Sequence, residues 1–196
     1  MLLIAASGNK AKIREISEVM APLGFEVKSC GELGFEGDID ETGSSFAENA
    51  SIKAEVVYRA LKDKYADAAV LADDSGLSVD ALGGRPGIYS HRYAGENADD
   101  SQRIAKLLGE LAGHADRTAR FVCAMCCIGR FGRIEVEGEC IGQIGFEERG
   151  SNGFGYDPIF MFGDKSFAEL DADNKNKVSH RANALSALRA ALCEKI

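Results

Sequence analysis

Glu41 sits in an acidic loop and Asp73 and Asp74 follow an apolar run. Together these carboxylates can supply the hard oxygen ligands that magnesium prefers. A metal held there would neutralise phosphate charge and activate a water, while one carboxylate takes the proton. The plain alternative is that Asp73 and Asp74 cap a turn with Ser75 and Gly76. Ser7, Gly8, Asn9 and Lys12 stand where an apolar segment gives way to a helical pattern, so backbone N–H groups there can bind anionic oxygens. Lys12 then adds a mobile charge, unless it is only a solvated helix residue. Gly153, Phe154, Gly155 and Tyr156 offer an approachable backbone and an aromatic face on which a base can stack, or else a tight turn with two packed rings. Lys175, Ser179, His180 and Arg181 enter the last helix. Cations at a helix start oppose its dipole, which favours a ligand over the alternative of Ser179 as a simple N-cap.

These groups need elements to hold them. Residues 2–6 form a short apolar run, and Ile13, Ile16, Val19 and Met20 recur at helical spacing after it. Residues 26–30 can form a strand, and 31–45 form a polar loop. Phe46, Ala50, Ala54, Val57 and Leu61 place one apolar stripe on a second helix, capped by Ser44 or Ser45. Residues 68–72 read as a central strand that ends in a polar turn at Asp73. Residues 83–93 form a glycine-proline loop, and Ile104, Leu107, Leu108 and Leu111 mark a third helix. Residues 118–128 and 133–144 read as a hairpin, and Ala182, Leu185, Leu188 and Leu192 mark the closing helix. Mixed strands and helices without a composition break indicate an α/β fold with a partly antiparallel sheet. We expect one domain over residues 1–196.

At 196 residues and 45% hydrophobic content the chain can bury a substantial core. Its net charge of −8 argues against a general nucleic-acid binder, so any phosphate ligand must meet local positive charge. The apolar N-terminus lacks the basic flank and length of a signal peptide. No apolar run approaches the roughly 18 residues of a membrane span. The expected location is the cytoplasm, with no membrane partner. Cys123, Cys126 and Cys127 superficially offer a metal or redox pair. They fall in a run that reads as a buried strand, where reduced cysteine packs as a small apolar side chain.

In this order the motifs resemble the inosine triphosphate pyrophosphatase family, the Ham1-like enzymes of non-standard purine nucleotides. The resemblance spans nearly the whole chain. It rests on Ser7-Gly8-Asn9 with Lys12 and Glu15, Glu41-Thr42-Gly43, Phe46 with Asn49-Ala50 and Lys53, and Ala72-Asp73-Asp74-Ser75-Gly76-Leu77. Pro86-Gly87-Ile88-Tyr89-Ser90, Gly153-Phe154-Gly155-Tyr156-Asp157-Pro158, and Lys175 before Ser179-His180-Arg181 complete it.

The resemblance implies an elongated mixed sheet flanked by helices in two lobes with a cleft between them, a homodimer, Mg2+ dependence, and hydrolysis of ITP, dITP and XTP to monophosphate and pyrophosphate. It makes Asp74 the proton acceptor and, with Glu41, a metal ligand, while Asp73 supports the same site. Ser7, Gly8, Asn9, Lys10, Ala11 and Lys12, with Ser75 and Lys53, would hold the triphosphate. Phe154, Gly155, Tyr156 and Asp157 would hold the nucleoside, Lys175 the phosphate or base region, and His180 and Arg181 the base. Ser7 stands where the family usually has threonine, which keeps the hydroxyl. Arg85 and His91 receive no role. The alternatives are a house-cleaning pyrophosphatase for other modified nucleotides, a non-catalytic nucleotide-sensing module, and a cysteine-based redox or metal protein.

Overall fold

The computed structural model describes residues 1–195. Seven strands form one sheet in the order β2-β1-β3-β4-β5-β6-β7. They are β1 (Leu2–Ala5), β2 (Glu26–Ser29), β3 (Ala69–Val79), β4 (Thr118–Gly129), β5 (Gly132–Ile144), β6 (Phe160–Phe162) and β7 (Lys165–Ser166). β1 pairs parallel with β2 and β3, whereas β5 with β6 and β6 with β7 are antiparallel. Only Arg130 and Phe131 separate β4 from β5, a link too short for anything but an antiparallel hairpin. The sheet is mixed, as expected. The helices are α1 (Lys10–Met20), α2 (Phe46–Leu61), α3 (Asp100–Glu110), α4 (Ala172–Val178) and α5 (His180–Cys193).

The chain divides into two compact units. One comprises residues 1–74, 123–138 and 183–196, and the other residues 75–122 and 139–182. The first unit illustrates how a strand sorts its residues. Side chains alternate between faces, so Leu3, Ala5, Leu71, Cys123, Met125 and Cys127 pack with Ile16 and Met20 of α1 and Leu185 and Leu188 of α5. Their neighbours Ile4, Val70, Ala72, Ala124 and Cys126 pack with Ala50, Ala54, Val57 and Leu61 of α2. The same alternation sends Cys123 and Cys126 to opposite faces, which undoes the apparent metal or redox pair. Burial pushes the Cys127 thiol up to about 12 and that of Cys126 up to about 11, so neither forms the reactive thiolate at neutral pH.

The second unit has its own core, in which Leu77, Val79, Ile104, Leu107, Phe121, Phe160 and Phe167 meet. Two expectations need correction. β3 does not stop at Asp73; it runs on to Val79, because Leu77 and Val79 are core residues and the buried Asp73 is paired with Lys12. Lys175 belongs to the separate helix α4, which Asp171 caps by accepting from Asn174 N, and not to the last helix. The short strands β6 and β7 also went unforeseen, since a few residues carry too little periodicity to register.

Candidate active site

Asp73 and Asp74 lie within β3, and the strand's alternation points them to different faces. Asp73, on the α1 face and 4% exposed, pairs with Lys12 Nζ at 2.8 Å. Asp74, on the α2 face, receives Lys53 Nζ on Oδ1 at 3.1 Å and Asn49 Nδ2 on Oδ2 at 3.2 Å. Lys53 Nζ also reaches Glu41 Oε1 at 3.1 Å. Glu41 and Asp74 therefore converge on one cationic group, while Asp73 addresses another.

Asn49 and Lys53 are one turn apart on α2, beside its apolar stripe, and both are buried. Ser45 starts the helix by accepting from Glu48 N, and Glu48 returns a carboxylate oxygen to Ser44 N–H at 2.6 Å. These two bonds, from Glu48 N to the N-cap Ser45 and from Ser44 N to Glu48, fix where the helix begins and so where Asn49 and Lys53 point. Asn49 Oδ1 also accepts from Gly43 N at 2.8 Å, which ties the Glu41 loop to the same helix. Gly43 has no room for a side chain, because a Cβ there would lie 2.7 Å from Asn49 Oδ1. Asn49 was part of a recognised motif but was assigned no role. The signal that could have found it is a polar pair at i, i+4 alongside an apolar stripe.

Burial raises Asp74 above its ordinary value of 3.8, and Glu41 pushes the same way against Lys53 and Asn49. For Lys53 burial is the largest single influence and would lower its pKa, yet Asp74, Glu41 and Asp73 together outweigh it and leave the ammonium more basic than usual. Lys53 is thus a permanent cation between two acids, and Asp74 is a better base than a solvated aspartate.

The loop after β1 is exposed. Asn9 caps α1, its Oδ1 accepting from Ala11 N at 2.9 Å and Lys12 N at 3.3 Å. An anion bound at those amides would have to displace the Asn9 side chain. Ser7 Oγ accepts from Asn9 N at 3.1 Å, and Gly8 and Lys10 lie in the open.

In the second unit, Lys175 Nζ pairs with Asp157 Oδ2 at 2.5 Å and lies 5.1 Å from the centre of the Phe154 ring. Asp157 Oδ2 also accepts from Phe154 N at 2.9 Å, and Gly155 N donates to Asp100 at 2.7 Å. Two amides of the expected backbone wall, those of Phe154 and Gly155, are therefore engaged, and the Phe154 ring is 51% exposed. Tyr156 is buried and its hydroxyl donates to the Ser90 carbonyl. Ser179 caps α5 through Ala182 N. His180 stacks on Phe121 at 4.9 Å, and Arg181 Nη2 donates to Ser75 Oγ at 3.4 Å. Arg85, which received no role, ties to Glu110 at 2.8 Å and to the Tyr93 hydroxyl, a structural brace of the glycine-proline loop.

Two residues, Glu41 and Asp74, fit a divalent cation. They are hard donors already gathered on one positive centre, and magnesium needs only one or two carboxylates when water and substrate phosphate complete its shell. Among the described residues no three His, Cys, Asp or Glu side chains are grouped so as to hold a metal ion.

The chain matches the Ham1 family over residues 3–191. It is 51% identical over 190 residues to a dITP/XTP pyrophosphatase of Bacillus subtilis, covering 94% of this chain and 93% of that one. Its fold is that of the Ham1 protein of Staphylococcus aureus, with a TM-score of 0.91, 41% identity and 100% of both chains covered. A HAM1 protein of Coxiella burnetii follows with a TM-score of 0.89, 40% identity and 99% of both chains.

Proposed function

The chain belongs to the Ham1 family, and on that premise we propose that it hydrolyses non-standard purine nucleoside triphosphates, ITP, dITP and XTP, to the monophosphate and pyrophosphate. The observation that carries this reading is the convergence of Glu41 and Asp74 on Lys53, one partly buried base beside a second acid and a permanent cation.

Asp74 takes the proton of the attacking water, and its raised pKa brings it nearer the operating pH, where general bases work best. Lys53 keeps the two acids together and offsets the charge that accumulates as the phosphate is attacked. Asn49 holds Oδ2 of Asp74 and Lys53 holds Oδ1, and together they fix the orientation of the carboxylate. Glu41 and Asp74 would hold Mg2+. When bound, the ion supplies Lewis-acid polarisation of phosphate oxygens and neutralises the leaving pyrophosphate.

Ser7, Gly8, Asn9, Lys10, Ala11, Lys12 and Ser75 take the triphosphate. Lys12 and Lys175 each hold a carboxylate in the free protein, so phosphate oxygens replace existing partners and meet lysines already in place. Phe154 supplies a stacking face and Tyr156 and Asp157 support it, while Lys175, His180 and Arg181 complete the base and phosphate contacts.

The same reading makes the protein a homodimer. Ile141 and Phe146, 60% and 82% exposed, give a second copy apolar surface to cover. It also places the protein in the cytoplasm, where thiols stay reduced, as suits six free cysteines. No described helix is long and apolar enough to cross a membrane.

The test is pyrophosphate release from ITP, dITP, XTP, ATP and GTP, with magnesium and then with excess chelator. Chelator-sensitive release confined mainly to the first three is expected. Binding of ITP without turnover would replace the enzyme by a nucleotide sensor, and equal turnover of all five would remove the specificity.

A further inference from the structure

The glycine-rich loop is tied to the start of α3 by a chain of bonds that phosphate chemistry does not require. Arg103, 8% exposed, donates through Nη1 to the carbonyls of His91 at 2.6 Å and Ala98 at 2.9 Å. Burying a guanidinium is costly unless its donors are satisfied, and here they are, because Nη2 pairs with Asp100 Oδ1. The other oxygen of Asp100 accepts from Gly155 N at 2.7 Å.

Gly155 adopts φ +64°, a left-handed conformation open to glycine at little cost. The next residue, Tyr156, is anchored through its hydroxyl to the Ser90 carbonyl at 3.0 Å. Ser90 Oγ itself donates to Gly87 O at 2.6 Å and accepts from Leu77 N at 2.9 Å. Two successive loop residues are thus fixed to the segment between β3 and α3, and the residue before them, Phe154, is left pointing outward. Burial would weaken the ionisation of Asp100, but Arg103 and the Gly155 amide outweigh it and hold the carboxyl below its usual range. The tie is charge-assisted, the stronger kind of hydrogen bond.

We infer that Arg103 and Asp100 are positioning residues for base recognition: Arg103 orients the Asp100 carboxylate, Asp100 fixes the Gly155 amide, and the fixed turn presents Phe154 to the purine. The inference rests on the reading of Phe154 and its neighbours as the nucleoside-binding loop. It places the effect of both residues on substrate binding, and leaves the hydrolytic step to Glu41, Lys53 and Asp74.

The experiment is steady-state kinetics of Asp100→Asn and Arg103→Lys on ITP and ATP beside the wild type, with thermal unfolding of each. The asparagine has one carbonyl oxygen for two donors, so Arg103 or Gly155 loses its acceptor. Its KM for ITP should rise about tenfold, the scale of one charge-assisted bond, with kcat within about twofold. Lysine keeps the charge but loses the fork that serves both carbonyls, and an intermediate KM is expected. A structural role alone would reduce the fraction of active enzyme, hence kcat, and leave KM in place, and that outcome overturns the proposal. An inert wild type would instead remove the functional reading itself. Should a variant fail to fold, amide exchange in the wild type decides: slow exchange at Gly155 supports the tie, and exchange as fast as in an unstructured peptide overturns it.

Discussion

Asn49 and Asp74 are joined by a 3.2 Å hydrogen bond from Nδ2 to Oδ2, and the opposite end of the same amide accepts from Gly43 N at 2.8 Å. One buried side chain therefore sets both the orientation of Asp74 and the position of the loop that bears Glu41.

Asn49→Ala should cost both activity and stability. It frees an Asp74 oxygen to rotate and leaves the Gly43 amide without its acceptor, each a loss of about 1–3 kcal/mol. The expected result is a ten- to hundredfold fall in kcat/KM for ITP, on the order of one such bond, together with a lower unfolding midpoint. Unchanged kinetics would show that Asp74 is held by Lys53 alone.

Gly43→Ala tests the same linkage from the other end. Its Cβ would lie 2.7 Å from Asn49 Oδ1 and 2.9 Å from Asn49 N, closer than packed atoms come, so the acidic loop must shift. Kinetics comparable to Asn49→Ala are expected. Both changes disturb the Gly43–Asn49 hydrogen bond, while the clash with Glu48 Cβ at 2.7 Å persists in the double variant, so that variant should lose somewhat less than the two losses added, as residues in one network do. Additive losses in that cycle would separate the two roles.

The base itself can be titrated. Burial, the largest influence, raises Asp74 above 3.8, and Lys53 opposes the rise. In chelator, carboxyl carbon NMR should therefore place its titration above 3.8, and Lys53→Met should move it higher still. A carboxyl raised on folding keeps its proton in the native state at a pH where the unfolded chain has lost it. Its contribution to stability is full below 3.8 and is lost as pH rises through the folded value. The stability of the wild type relative to Asp74→Asn should fall across that window. A midpoint at or below 3.8 in the folded protein would contradict the burial argument.

Much of this was legible in the residues. The stripe of α2, the hairpin of β4 and β5 and the buried cysteines follow from periods of 3.6 and 2, which a single sequence displays. Glu41 and Asp74 are named by residue type and Lys53 by the motif of the resemblance, and the structure brings the three side chains together. What the sequence hides is the consequence of alternation within an unbroken strand. Asp73 and Asp74 read as one acidic pair at a turn, but β3 continues, and adjacent residues of a strand cannot share a face. The engagement of the Phe154 and Gly155 amides was hidden for another reason: their acceptors include Asp100, distant in sequence, and such pairings carry no local pattern.

That engagement shifts the question of base choice onto Arg181. Hypoxanthine and xanthine present a carbonyl at the six position where adenine presents an amino group, so a buried donor discriminates between them. Sites that require such a bond reject its absence by about 10⁴ to 10⁵. With the Phe154 and Gly155 amides held by Asp157 and Asp100, the guanidinium of Arg181, 5% exposed and reaching Ser75, is the charged donor of the proposed base contact. Arg181→Ala should narrow the ratio of kcat/KM for ITP over ATP by about tenfold or more, the scale of one bond to a charged group. The fold should survive, since the stacking of His180 on Phe121 and the Ser179 cap remain. If the ratio stays as in the wild type while both substrates weaken together, Arg181 binds phosphate and not the base, and selectivity must then come from amides that the loop releases when substrate enters.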